Sequence, residues 1–312
     1  MTKLKGILLT QGMHGMISQV EGLAKALDLD FTHHTVETNR FWKLFPPKLT
    51  PISQSVFKKI NSEDFDVIIS CGRKSVIPSI YLKKNSSKKV INIHIQNPKV
   101  NLNNFSYVIA PEHDKLDGRN VFSTKGAIHY LSRKEIDDNS DYLKNRLDIN
   151  KEYFSLILGG PTKHYDYSDE NILNILDLFD NLISKNNLQG IVIPSMRTPK
   201  NIIELCKNKL RINSLIIDNV DKKAYLSALS LAKYVAVTCD STSMISEAAL
   251  TGKPIYVADI PAKKNDLRIK KFIELFTKLN IIKNLDNKLE TWHYEILDET
   301  NRIAKEIKKQ LT

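Results

Sequence analysis

Short β-branched runs alternate with helix-period segments along this chain of 312 residues, and the alternation starts twice. In the first half, strand-like runs fall near residues 5–10, 31–36, 66–70, 90–95, 107–110 and 121–123, with helices at 17–27 and 75–83. Val20, Leu23, Ala24 and Leu27 give the first of these helices an apolar stripe of period 3.6. The segment 41–50, with Pro46 and Pro47, breaks the rhythm and reads as a loop. A charged stretch, 132–151, reads as a linker, and the rhythm then restarts. Strands are expected at 153–158, 190–193, 214–217, 235–238 and 255–258, separated by helices at 169–184, 200–209, 224–232, 243–250 and 266–275. A charged amphipathic helix, 294–311, closes the chain. Strands joined through helices pair most readily in parallel, with helices on both faces of the sheet. The pattern therefore predicts an α/β chain of two Rossmann-like domains with parallel sheets facing a central cleft. The first is expected at 1–150, joined by the terminal helix 294–312, and the second at 151–293. Ligands of such sheets sit at the carboxyl ends of the strands, so the residues just past each strand carry the functional expectations.

The net charge of +11 narrows the partners. It comes from 37 Lys and only 9 Arg, a Lys-rich surface without the Arg–aromatic clusters of a nucleic-acid reader. No nucleic-acid partner is expected. Residues 1–150 carry a net +7 and residues 151–312 a net +4, so the first half is the better match for an anionic surface. Cys71, Cys206 and Cys239 are far apart, which fits a reducing compartment and neither a disulfide scaffold nor a zinc site. No apolar run approaches the length of a membrane span, and no signal-peptide core precedes the first strand. The expectation is a cytoplasmic protein with room for peripheral contact at the inner membrane face. Asp64-Phe65-Asp66 spells a DxD but precedes a strand, where turn chemistry is its role, and no metal is predicted.

Candidate chemistry follows the strand ends. In the first half, Gln11-Gly12-Met13-His14-Gly15 leads from a strand into a helix. Gly12 and Gly15 suit a tight turn at an anion-binding helix start, although the GxGxxG dinucleotide pattern is not met. Arg73 and Lys74 set two cations at another helix start and suit phosphate or carboxylate. Glu112, His113 and Asp114 follow the strand at 107–110 and suit acid–base work. Asp114, His113 and His14 are equal candidates for the catalytic base. In the second half, Gly159 and Gly160 admit close backbone approach, and Thr162 and Lys163 offer hydrogen bonds to a diphosphate. Ser195 and Arg197 end the next strand, and Arg197 suits bidentate phosphate binding. Ser241, Thr242 and Ser243 present hydroxyls and free N–H groups at a helix start, and Glu247 lies one turn further, placed to accept from both hydroxyls of a ribose. Each of these segments also reads as ordinary strand-to-helix capping.

Taken together, the motifs resemble the elongated-mitochondria, or mitochondrial-fission, family of plants and bacteria. The resemblance runs from Gly15 through Gln19 and Gly22-Leu23-Ala24 to Gly72-Arg73-Lys74-Ser75, Ile95-Gln96-Asn97-Pro98, Pro111-Glu112-His113-Asp114 and Gly126-Ala127-Ile128-His129. It continues in Gly159-Gly160-Pro161-Thr162-Lys163-His164-Tyr165, Ser195-Met196-Arg197-Thr198-Pro199, Asp240 to Glu247 and Gly252-Lys253-Pro254. Asn97 stands where the family pattern has Asp, and Met196 where it has a second Arg. Bacterial members look like GT-B glycosyltransferases. The resemblance implies a nucleotide-diphosphate-sugar donor in the second domain, at Gly159, Gly160, Thr162, Lys163, Ser195, Arg197, Ser241, Thr242, Ser243 and Glu247. It implies a glycan or lipid-linked acceptor in the first, near Gly12, Gly15, Gln19, Arg73 and Lys74. No cofactor beyond the donor substrate is expected. The expected activity is metal-independent sugar transfer in cell-envelope glycan synthesis. Nucleotide-sugar epimerisation on the same fold and non-catalytic recruitment at a membrane are the alternatives.

Overall fold

A computed structural model describes residues 3–60, 64–210 and 212–311 and divides them into two compact units. Residues 1–2 of the expected first domain and 312 of the expected terminal helix lie outside the described residues.

The first unit is built on a six-stranded sheet of order β2-β1-β3-β4-β5-β6, every pair parallel. Its strands are β1 (Lys5–Thr10), β2 (Asp30–Thr35), β3 (Val67–Cys71), β4 (Ile91–Ile95), β5 (Tyr107–Pro111) and β6 (Val121–Thr124). Period-two alternation sends Leu8, Val67 and Ile69 to one face and Ile7, Leu9 and Ile68 to the other. The first face is covered by α1 (His14–Ala26) and α9 (Glu299–Leu311), through Val20, Leu23, Ile303 and Ile307. The second is covered by α2 (Val76–Lys84), through Val76, Ile77 and Ile80. Burial on both faces explains why the inner strands β1, β3, β4 and β5 read as largely apolar runs, whereas the edge strand β2 does not.

The second unit has a parallel six-stranded sheet of order β12-β11-β10-β7-β8-β9. Its elements are α3 (Arg133–Asp138), β7 (Glu152–Leu158), α4 (Asp169–Lys185), β8 (Leu188–Pro194), α5 (Lys200–Leu210), β9 (Ser214–Ile216), α6 (Lys222–Leu231), β10 (Ala232–Thr238), α7 (Thr242–Ala249), β11 (Ile255–Ala258), α8 (Leu267–Lys278) and β12 (Ile282–Asn284). The alternation thus predicts the architecture, while the short helix α3 and the three-residue strand β12 are not separately marked by it.

The units divide between Tyr130 and Leu131, not at 150/151. The charged stretch is no free linker, because it packs on α6. The Leu143 amide donates to Ser227 Oγ at 3.1 Å, and that hydroxyl donates to the Ser140 carbonyl at 2.9 Å. Lys222 pairs with Glu135 at 2.6 Å. Helix α9 returns to the first unit, where Thr300 Oγ1 bonds the His129 amide and carbonyl at 3.0 and 2.9 Å. It starts at Glu299 instead of 294 because the Asp298 carboxylate caps it, accepting from the Asn301 amide at 3.1 Å.

Asp64 and Asp66 lie at the amino-terminal edge of the first sheet, opposite the carboxyl ends of its strands. Lys5 and Lys88 pair with Asp64 at 2.6 and 2.7 Å, and Lys88 with Asp66 at 2.7 Å. These lysines draw the Asp64 carboxyl down to about 2.

Candidate functional site

In the second sheet the chain runs outward from β7 through β8 to β9, then returns to lay β10, β11 and β12 on the other side of β7. The reversal falls between β7 and β10. Such a switch point leaves a crevice at the carboxyl ends, because the two loops leave in opposite directions. Those loops are the glycine segment after Leu158 and the hydroxyl segment after Thr238. The loop after β8, with Ser195 and Arg197, joins them from the next strand.

The three loops are tied together by Asp240, a residue that spacing alone leaves unassigned. Its side chain is 0% exposed and accepts from Arg197 Nη2 at 2.8 Å and from the Gly160 amide at 3.2 Å. The Tyr167 hydroxyl donates to its other oxygen at 2.5 Å and lies 2.7 Å from Thr238 Oγ1. Burial and the facing carboxylate push the Tyr167 phenol up. Arg197 is 41% exposed, and its second guanidinium nitrogen donates to the Gly160 carbonyl at 2.7 Å. Two of its nitrogens hold a carboxylate and a carbonyl, so Arg197 braces the crevice, a tie that the spacing does not reveal.

The glycines have a correspondingly structural reason. A Cβ on Gly159 would lie 2.2 Å from Asp240 Oδ2, and one on Gly160 would lie 2.1 Å from the Arg197 carbonyl oxygen. Their missing side chains admit protein atoms at these positions. Ser195 Oγ donates to the Gly159 carbonyl at 2.9 Å, as does Thr198 Oγ1 at 2.5 Å. Thr162 Oγ1 accepts from the amides of His164 and Tyr165 at 3.1 Å each and shapes the turn that leaves Lys163 exposed. No sequence signal marks Tyr167 or Thr198 for these roles.

At the start of α7, Ser241 is the N-cap, and its hydroxyl accepts from the Met244 amide at 3.4 Å. Thr242 and Ser243 form the first turn, half-buried, at the positive end of the helix dipole. Glu247 lies one turn further, half-buried, and accepts from the Tyr225 hydroxyl at 2.7 Å. Burial pushes its carboxyl up to about 7 against the opposing pull of that hydrogen bond. Tyr225 is a second partner that the spacing does not reveal. The bond occupies one carboxylate oxygen and leaves the other with acceptor capacity.

The first sheet has its own reversal, between β1 and β3. Gly12, with φ +81°, and Gly72, with φ +89°, turn the two loops there, and both conformations favour glycine. A Cβ on Gly72 would lie 2.4 Å from Gln11 Nε2, so the loops are in close contact. Gln19 reaches the same strand end, accepting from Cys71 Sγ at 3.5 Å. Gly15 and His14 occupy the first turn of α1, with the His14 ring exposed and 6.4 Å from the Tyr130 ring. Arg73 and Lys74 are exposed, but Arg73 donates to the carbonyls of Lys43 and Phe45 at 3.1 and 2.6 Å. Gly12, Gly15, Gln19, Arg73 and Lys74 thus belong to one switch point.

His113 and Asp114 do not join that group. They form one 3-10 turn after β5, three strands from β1, or about 14 Å at ~4.8 Å per strand. His113 Nε2 lies 3.8 Å from Asp114 Oδ1, and both side chains are largely covered. His14 is therefore a separate candidate and no third member of a His113–Asp114 arrangement.

A family model described as mitochondrial fission ELM1 matches residues 14–311. Uncharacterized protein RP120 of Rickettsia prowazekii (strain Madrid E) is 28% identical over 340 residues, covering 94% of this chain and 95% of its own length. Mitochondrial fission protein ELM1 of Arabidopsis thaliana is 23% identical over 274 residues, which are 78% of this chain and 64% of the plant protein. Among solved structures, the glycotransferase of kitacinnamycin superposes with a TM-score of 0.57 at 12% identity over 100% of both chains. UDP-GlcNAc 2-epimerase from Methanocaldococcus jannaschii superposes with a TM-score of 0.54 at 17% identity, covering 98% of this chain and 99% of that one. At such identities the likeness shows the fold, a GT-B-type pairing of two Rossmann-like units.

Proposed function

The chain belongs to the mitochondrial fission ELM1 family, and from that premise we propose that it is a glycosyltransferase whose second unit binds a nucleotide-diphosphate sugar. The observation that carries this reading is the β7/β10 switch point: an amide-rich helix start at Thr242 and Ser243, with a carboxylate one turn on at Glu247. A diphosphate fits the former, because unpaired N–H groups and the helix dipole both favour an anion. A ribose fits the latter, because a carboxylate accepts from vicinal hydroxyls. The solved structures that share the fold include a glycotransferase and a UDP-GlcNAc 2-epimerase, which supports a nucleotide-sugar ligand.

In this reading the departing diphosphate is stabilised by fixed dipoles at the α7 start and by exposed Lys163, with no metal required for the charge balance. Preset donors need no reorganisation as charge develops, which is why a helix terminus serves this step. Ser241 holds the helix start in shape, and the Asp240–Arg197 pair holds the neighbouring loops. The first unit takes the acceptor at its own switch point, by Gln11, Gly12, Arg73 and Lys74. Deprotonation of an acceptor hydroxyl falls to His113, Asp114 or His14, of which the first two share one turn.

Epimerisation is the second reading, favoured by the likeness to the archaeal epimerase. Product analysis separates the two. With nucleotide-diphosphate sugars as donors, the expected result is release of free nucleoside diphosphate that depends on an added lipid-linked or glycan acceptor. An epimerised donor formed without acceptor would replace the transferase reading by the epimerase one.

A further inference from the structure

Among the described residues of the first unit, six large hydrophobic side chains are exposed, and four of them fall within twelve consecutive positions: Phe41, Leu44, Leu49 and Ile52. Leu44 is 82% exposed, Leu49 65% and Phe41 61%. Isolated exposed leucines are ordinary, but a run of them on one loop is not. The sequence reads this stretch as a loop, and the structure builds it on two 3-10 turns, Phe41–Leu44 and Pro47–Leu49.

Its base is closed by the Asn39 amide donating to the Val56 carbonyl at 2.8 Å and Asn39 Nδ2 donating to the Ser55 carbonyl at 2.6 Å. Its middle is held by the Arg73 guanidinium on the carbonyls of Lys43 and Phe45. Phe41, Trp42 and Phe45 pack ring on ring, with centroids 4.9–5.7 Å apart. The exposed side chains therefore project from a fixed backbone, and ordering it adds no further entropy cost on binding.

Charge says what the loop meets. Arg40, Lys43 and Lys48 are exposed among the apolar side chains, Lys58 and Lys59 follow, and no acidic residue occurs from 38 to 62. Among the described residues, Arg40, Lys43 and Lys48 form no ion pair. Exposed apolar side chains interleaved along the loop with exposed cations, beside the half-buried Trp42, match the boundary of an anionic bilayer. Leu44, Leu49 and Ile52 have no ring face on which a nucleobase stacks, the Phe41 ring is packed against those of Trp42 and Phe45, and Lys is depleted at the centres of protein interfaces.

We propose that residues 40–52 form a membrane-seating loop that places Phe41, Leu44, Leu49 and Ile52 in an anionic lipid bilayer. Beneath the loop lies a cavity of about 100 Å³ lined by Gln11, Trp42, Phe45, Arg73 and Lys74, at the β1/β3 switch point. Seating the loop brings that cavity to the headgroup level, so the acceptor would be a lipid carrying an anionic headgroup. This consequence rests on the proposed acceptor role of the first unit, whereas the bilayer contact stands without it.

The test is sedimentation of the full chain with vesicles of phosphatidylcholine alone and of equimolar phosphatidylcholine and phosphatidylglycerol. The expected result is binding to the phosphatidylglycerol vesicles that weakens with salt. Leu44→Ser with Leu49→Ser should lower the partition coefficient about tenfold or more. Lys43→Glu with Lys48→Glu removes two cations and should lower it about 25-fold or more, at roughly fivefold per cation. All four positions are exposed, so the unfolding temperature should not move and serves as the fold control. Absence of wild-type binding to phosphatidylglycerol vesicles would overturn the proposal, as would equal binding by the leucine variant. Retention of a single-stranded oligonucleotide, lost in both variants and without vesicle binding, would assign the loop to nucleic acid instead. Donor-nucleotide binding measured on the same samples reads the second unit, so a failure of the donor-site reading is seen separately.

Discussion

Asp240→Ala is expected to lower stability by about 3 kcal/mol, near the lower end of what breaking a buried ion pair removes. The carboxylate is wholly buried and satisfies Tyr167, Arg197 and the Gly160 amide together. Alanine leaves the Tyr167 hydroxyl and the Gly160 amide without that acceptor, each with the penalty of a lost buried partner. Arg197 is partly exposed and recovers water, which keeps the loss below the full value for a buried pair. The denaturation midpoint of the purified variant checks this. The same variant should lose nucleotide binding, since the loops on both sides of the β7/β10 reversal lose their common anchor. A loss under about 1 kcal/mol would mean that the network does not brace the crevice.

Glu247 should separate ligand binding from stability. Its carboxyl is pushed up to about 7, so folding favours the protonated form. Its contribution is full below the unfolded value of about 4.5, then declines as the pH rises and is lost above about 7. Glu247→Gln removes that decline and should be more stable than the wild type at pH 8 by about 2 kcal/mol, with little difference at pH 5. Nucleotide affinity should move the other way. A ribose donates best to the ionised carboxylate, so wild-type affinity should rise as the pH passes about 7. Glu247→Gln should bind about ten- to a hundredfold more weakly at pH 8, the loss of a charge-assisted hydrogen bond. Calorimetric titrations at both pH values measure this. A variant that binds as tightly as the wild type would remove Glu247 from the ribose site.

Much of the fold is legible in the sequence, because sheets buried on both faces leave apolar runs that stand out from amphipathic helices such as α4 and α8. The strand-end residues are legible for the same reason. What the sequence does not carry is strand order. Gly12 and Arg73 share one switch point while His113 lies three strands away, and no spacing along the chain announces this. Long-range pairing is hidden likewise: Arg197 and Asp240 are 43 positions apart, and only their contact shows the arginine to be a brace. The boundary near 150 misleads because residues 132–150 are charged on their outer side, yet they dock through Ser140 and Leu143 onto Ser227. The 40–52 segment is legible as a loop from Pro46 and Pro47, but these say nothing of the exposure of Leu44 and Leu49.

On the proposed function, the second unit holds a nucleotide-diphosphate sugar at its β7/β10 switch point. Thermal unfolding of the wild-type chain with UDP-, GDP-, CMP- and TDP-sugars tests it most directly. A ligand at a hundred times its dissociation constant adds about 2.7 kcal/mol, or roughly 5–10 °C for a unit of this size. A shift of that order is expected with at least one of the four, diminished in Glu247→Gln at pH 8. Unfolding temperatures unmoved by every one of them, in a folded preparation, would contradict it.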